Sequence, residues 1–229
     1  MNKRTANILA LAIVIIPFYM VAIVQKIMFT QSEFLVQEFL GIFMSLAIFG
    51  ISILFLANKY LLKNTYRSFV APNGNLIIDI SLALLLISFA YFVKSIGNLT
   101  YFRWIPSEAD RTVMVNLLHE IFSNNLHALI ILGPFNWLNE SFVAISLAFI
   151  LNNMWEFSDK KAWRWLSIFF TSVLFSMVQI DQGIPNMINT FLIISVSNYV
   201  YFKYRRIYPL LIAGILLQTI DLASFWYYN

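Results

Sequence analysis

Seven apolar stretches dominate this sequence and set what it can fold into. They run over about 6–29, 34–56, 76–93, 126–151, 162–180, 187–202 and 208–228. A bilayer offers no water to backbone amides, so a spanning segment must satisfy its own hydrogen bonds as a helix of roughly 20 apolar residues. The sixth stretch is short for that purpose unless its ends extend. Composition agrees: 60% of residues are hydrophobic and 11% charged, against roughly a quarter charged in a soluble domain. The expected fold is all-α: one polytopic helical membrane domain over 1–229 with about seven transmembrane helices. Lys3 and Arg4 before the first stretch resemble a signal peptide. That stretch is longer than a signal core and runs into Gln25-Lys26 without a small-residue cleavage site, so it reads as a retained helix.

The basic residues give an orientation. With the N-terminus inside, Lys3, Arg4, Lys59, Lys63, Arg67, Lys160, Lys161, Arg164, Lys203, Arg205 and Arg206 fall on the inner side. Lys26, Lys94, Arg103 and Arg111 fall outside. The positive-inside rule then predicts N-in and C-out. Arg111–Phe122, "RTVMVNLLHEIF", has a mixed amphipathic pattern that allows one extra interfacial helix. "APNGN" at Ala71–Asn75 is a turn signal before the third stretch. No basic run suits nucleic acid. The absence of cysteine excludes disulfides and thiolate chemistry.

Polar groups inside the stretches are the candidate site, because an ionisable group in hydrocarbon is costly. Glu140 lies deepest, in "GPFNWLNESF". Asn136, Asn139, Gln179, Gln218 and Asp221 can join it in one interhelical cluster, a partner or ligand cavity, or serve only as interhelical hydrogen bonds. Asp79 and Asp181 read as interface residues. His119 and His127 are eight apart, not the four that puts two histidines on one helical face, so they read as interfacial side chains. No metal site and no cofactor is expected.

Three further features carry a resemblance. "ILGPFNWLNESFVA" begins a helix after Gly133-Pro134, "LFSMVQ" gives Phe175-x-x-x-Gln179, and "KYRRIYPLLIAGILLQ" gives a basic turn, Pro209, then Gly214-x-x-x-Gln218. Their order resembles the CPBP family of CAAX-protease and bacteriocin-processing intramembrane proteins. That family's pattern is E-E-x-x-x-R, then F-x-x-x-H, then H-x-x-x-N/D after a basic turn and a proline. The resemblance implies a four-helix core over 126–229 behind N-terminal helices and an amphipathic segment over 1–125. It also implies that Asn139, Glu140, Phe175, Gln179, Gly214 and Gln218 occupy degenerate catalytic positions. Ungapped, the glutamate pair falls on Trp137-Leu138 and the arginine on Phe142; shifted by two, on Asn139-Glu140 and Ala144. In the family a glutamate with histidines activates water for peptide hydrolysis. A general base must accept a proton near neutral pH; glutamine does not, and glycine has no side chain.

The expectation is therefore a catalytically inactive CPBP-like protein of the bacterial cytoplasmic membrane. It would lie in the lipid bilayer and bind another membrane protein or a membrane-active peptide, in bacteriocin immunity or in regulating an envelope enzyme or sensor. Two alternatives stand beside it: a divergent intramembrane protease using Glu140, and a small-molecule-binding subunit of a membrane transporter.

Overall fold

The structure, a computed structural model, describes residues 5, 6, 8, 9, 12, 13, 15, 16, 48–61, 75–99, 138, 141–153, 161–177 and 184–228. At 58, 61, 98, 99, 161, 218 and 221–228 the description is of the backbone. Every regular element among the described residues is helical. Helix α1 covers 48–56 and runs on through a π-helical turn, Ala57–Leu61. Then come α2, Leu76–Leu99; α3, Ser141–Asn153; α4, Lys161–Met177; α5, Ile184–Tyr204; and α6, Tyr208–Tyr228. Among the described residues one helix, Leu76–Gly97, is long and apolar enough to cross a membrane, with mean hydropathy 2.4. Ser141–Asn153 and Tyr208–Leu217 are shorter apolar helices.

Local chemistry sets the helix ends. Asn75 caps α2: its Oδ1 accepts from the Ile77 amide at 2.9 Å, and its carbonyl accepts from the Ile78 amide at 3.1 Å. The helix continues past the expected end at 93 because Lys94 stays helical, with its ammonium 5.8 Å from the Tyr91 ring centroid. Helix α5 starts at Ile184, earlier than the apolar run, because Pro185 sits in the first turn, where no amide donor is required. It ends at Arg205, whose φ of 55° is left-handed and whose amide donates to the Tyr201 carbonyl at 2.7 Å. Two residues on, Ile207 starts α6, accepting from the Leu210 and Leu211 amides.

The packing is that of helices in an apolar solvent. Helix α3 is almost entirely buried, from Phe142 through Leu147, Phe149 and Leu151. A helix apolar all round belongs at the centre of a bundle. Helix α4 packs against α5, and α2 packs against both α5 and α6. On α2, Ala83 and Ala90 are fully buried, while Ile77, Leu84, Leu85 and Phe92 stand more than half exposed. Helix α4 buries Ser167, Thr171, Ser172 and Ser176 and exposes Trp165, Leu166, Phe169 and Phe170. Small residues inward and bulky apolar residues outward invert the soluble pattern and suit a lipid surface. The buried hydroxyls are satisfied locally: Ser167 donates to the Trp163 carbonyl, Thr171 to Ser167 and Ser172 to Ile168, at 2.7–2.8 Å. At the other close approach, a Cβ added to Gly50 of α1 would lie 2.8 Å from Cζ of Phe142.

Candidate functional site

The sequence-derived cluster meets the structure at only a few positions. Asn136, Asn139, Glu140 and Gln179 lie outside the described residues, as do His119, His127 and Asp181. Gln218 and Asp221 are on α6, described by backbone alone. Gly214 is partly buried on the same helix. Phe175 is buried on α4, within the cluster that also holds Val200, Leu210 and Ala213. The segment Arg111–Phe122 also lies outside the described residues.

What the described residues do assemble is a polar girdle where α2 begins, α3 ends and α5 turns into α6. Its centre is a buried ion pair. The Arg206 guanidinium grips Asp79 with two donors, Nε to Oδ1 at 2.5 Å and Nη2 to Oδ2. Each side chain is 5% exposed. Arg206 Nη2 also donates to the Asn75 carbonyl at 3.0 Å. Asn75 therefore caps α2 and helps hold the arginine. A forked guanidinium matches a carboxylate in geometry as well as charge, which makes such a pair tolerable in a dry interior. Arg206, read from sequence as one of the inner basic residues, is thus neutralised inside the bundle. Asp79 is a structural partner, at the first turn of a helix whose N-terminus favours negative charge.

Beside it, Asn152 links three elements. Its Nδ2 donates to the Tyr201 hydroxyl at 2.7 Å, and its Oδ1 accepts from Arg205 Nη1 at 2.9 Å. These bonds tie the end of α3 to the end of α5. A third polar group lies deeper. Asn198 is fully buried and donates to Ser172 Oγ at 3.0 Å and to the Ile168 carbonyl at 3.4 Å. Its Oδ1 is buried without a hydrogen-bond partner among the described residues.

Sequence reasoning passed over three buried amides, Asn198 and also Asn153 and Asn189. Asn153 Nδ2 donates to the Phe149 carbonyl at 2.9 Å, one turn back. Asn189 stands one turn after the buried Pro185 in α5. A signal was present: Phe149-x-x-x-Asn153 carries the spacing of F-x-x-x-H, with asparagine in place of histidine.

No curated protein and no solved structure matches the chain. The family model described as "Rce1-like: Type II CAAX prenyl endopeptidase Rce1-like" matches residues 111–220, a little under half of the chain. It takes in the whole Arg111–Phe122 segment and runs from there through α3, α4 and α5 to Ile220 of α6. It describes an integral membrane family, in keeping with the apolar outer faces of α2 and α4. By this match residues 111–220 are similar to the Rce1-like type II CAAX endopeptidase family, which agrees with the CPBP resemblance carried by the sequence.

Proposed function

We infer that this is a catalytically inactive, multi-pass CPBP-like protein of the bacterial cytoplasmic membrane, which binds a membrane protein or membrane-active peptide without cutting it. The observation that carries the reading is chemical. Inside the family-matched stretch, the positions that should hold two histidines hold groups unable to accept a proton. In the register read from the sequence, these are Gln179 and Gly214, with Gln218 at the Asn/Asp position. A second register of the same pattern fits the matched stretch. There, His119-Glu120 and Asn124 stand for E-E-x-x-x-R, Asn153 follows Phe149 by four, and Asn189 and Ile193 stand for H-x-x-x-N/D. Both registers retain one glutamate, Glu140 or Glu120, and neither retains a histidine in the second or third motif. A set of amides with one carboxylate also makes a poor divalent-metal site, since the imidazole ligands are missing, and no step is routed through a metal.

The family's name denotes cleavage of prenylated CAAX peptides. A scaffold that has lost the histidines keeps the lipid-facing helices and a polar interior that can hold an apolar segment by packing and hydrogen bonds. Immunity to a bacteriocin, or restraint of an envelope enzyme or sensor, is the kind of role that binding alone can fill.

The test places a photocrosslinking amino acid at position 179, and in parallel at 193, in native membranes. The reading expects a discrete adduct whose partner retains its full mass, and its loss in Gly214→Trp. Adducts that contain only a clipped partner, or none from either position, would overturn it.

A further inference from the structure

The pair α4/α5 carries a feature that the inactive site does not use. An open apolar groove of about 440 Å³ runs between the two helices, lined by Trp165, Ile168, Phe169, Ser195, Val196 and Tyr199. Trp165 stacks on Tyr199 at one end, with ring centroids 5.6 Å apart and planes 14° apart. Phe169 marks the other end, one turn along α4, edge-on to Phe191 of α5 at 5.8 Å.

The aromatic end is also the cationic end. Arg164 lies partly buried over the Phe202 ring, its guanidinium carbon 5.8 Å from the centroid. Its Nε is buried and makes no hydrogen bond among the described residues. Arg205 lies close enough to feel Arg164. Burial lowers the pKa of Arg205 from its ordinary value, the Tyr201 phenol opposes this, and the Arg164 charge lowers it further. Lys203, on the same turn of α5, is exposed. Two guanidiniums within each other's field favour an anion between them. An apolar groove that ends at such a pair has the form of an amphiphile: a hydrocarbon chain along the helices and a negative group at their end.

We propose that this groove seats one acyl chain of an anionic glycerophospholipid, whose phosphate is held by Arg164 with help from Arg205. The occupant is a lipid because the groove opens on the face where Trp165, Phe169 and Tyr199 are exposed, the face turned to the bilayer, and because, among the described residues, its charge complement lies at one end. A basic residue near a membrane surface favours an anionic headgroup by about fivefold. The two arginines together therefore predict at least a tenfold preference for phosphatidylglycerol over phosphatidylcholine.

The experiment is native mass spectrometry of the full chain purified in detergent and titrated with equal amounts of the two lipids. One phosphatidylglycerol should be retained preferentially. Arg164→Gln should cut that preference about fivefold, and Ser195→Trp, which fills the groove, should abolish retention of both lipids. Equal retention of the two lipids by the native chain would overturn the proposal without reference to any variant. A preference unchanged in both Arg164→Gln and Ser195→Trp would also overturn it. So would a disulfide-linked dimer of Ser195→Cys, since the chain has no other cysteine and a second copy would then occupy the groove.

Discussion

The Asp79–Arg206 pair offers the sharpest perturbation. Changing Arg206 to Met keeps most of the side-chain volume but strips Asp79 of two donors and the Asn75 carbonyl of one. The carboxylate then stands at 5% exposure beside the Ile77–Ile80 turn with no charge opposite it. Breaking one partner of a buried pair costs about 3–5 kcal/mol, chiefly from the stranded charge. Changing Asp79 to Leu strands the guanidinium and should cost a similar amount. The double variant Asp79→Leu/Arg206→Met leaves neither charge and replaces both with apolar volume. It should therefore lie within about 1–2 kcal/mol of the native chain, far from the sum of the single losses. Unfolding by dodecyl sulfate titration in mixed micelles, followed by tryptophan fluorescence, measures all four corners of the cycle. Additivity of the two single changes within about 0.5 kcal/mol would show that the groups do not meet, and would refute the packing of α2 against the α5–α6 turn.

Other expected outcomes follow from single contacts. Gly50→Ala should cost about 1–3 kcal/mol through its collision with the Phe142 ring, and adding Phe142→Leu should recover most of it. Tyr201→Phe should cost about 1 kcal/mol by removing the acceptor of the Asn152 amide, with Arg205 still bonded to the other side of Asn152. At Arg205, where φ is 55°, glycine relieves about 1 kcal/mol of left-handed strain and offsets the lost Asn152 bond. Valine there relieves none, so the same titration should separate the two variants by at least about 1 kcal/mol. Cysteines introduced singly at positions 62 and 183 should react with an impermeant maleimide from opposite sides of the membrane; reaction from one side would refute the N-in, multi-pass topology.

The helical class was plain from the apolar stretches, and the last element begins at Tyr208 and ends at Tyr228 where the sequence places it. The turn before the third stretch was also readable, because "APNGN" ends in the asparagine that caps α2. Boundaries shifted where a residue type has two uses. Pro185 lies before the apolar stretch that starts at 187 yet opens α5, and Lys94 follows the stretch that ends at 93 yet stays in α2 with its ammonium over the Tyr91 ring. Arg206 shows the harder limit: its partner is 127 residues away, and periodicity within one helix carries no information about pairing between helices. The inward stripe of Ser167, Thr171, Ser172 and Ser176 was present in "WLSIFFTSVLFS", yet it becomes a packing face only once bilayer is taken as the solvent outside. Asn153 and Asn189 are amides like Asn139 and Gln179, and only their burial sets them apart from the other asparagines of the chain.

The central claim is the loss of chemistry, and one measurement bears on it most directly. The purified chain is reconstituted in liposomes with a prenylated CAAX peptide, and separately with whatever partner crosslinks to position 179, and every species is followed by intact mass. The account predicts that peptide and partner keep their full mass while partner binding persists, in the native chain and in Glu120→Gln and Glu140→Gln alike. A single defined cut made by the native chain and lost in either glutamate variant would contradict it, and would mean that the active site has been rearranged around that carboxylate.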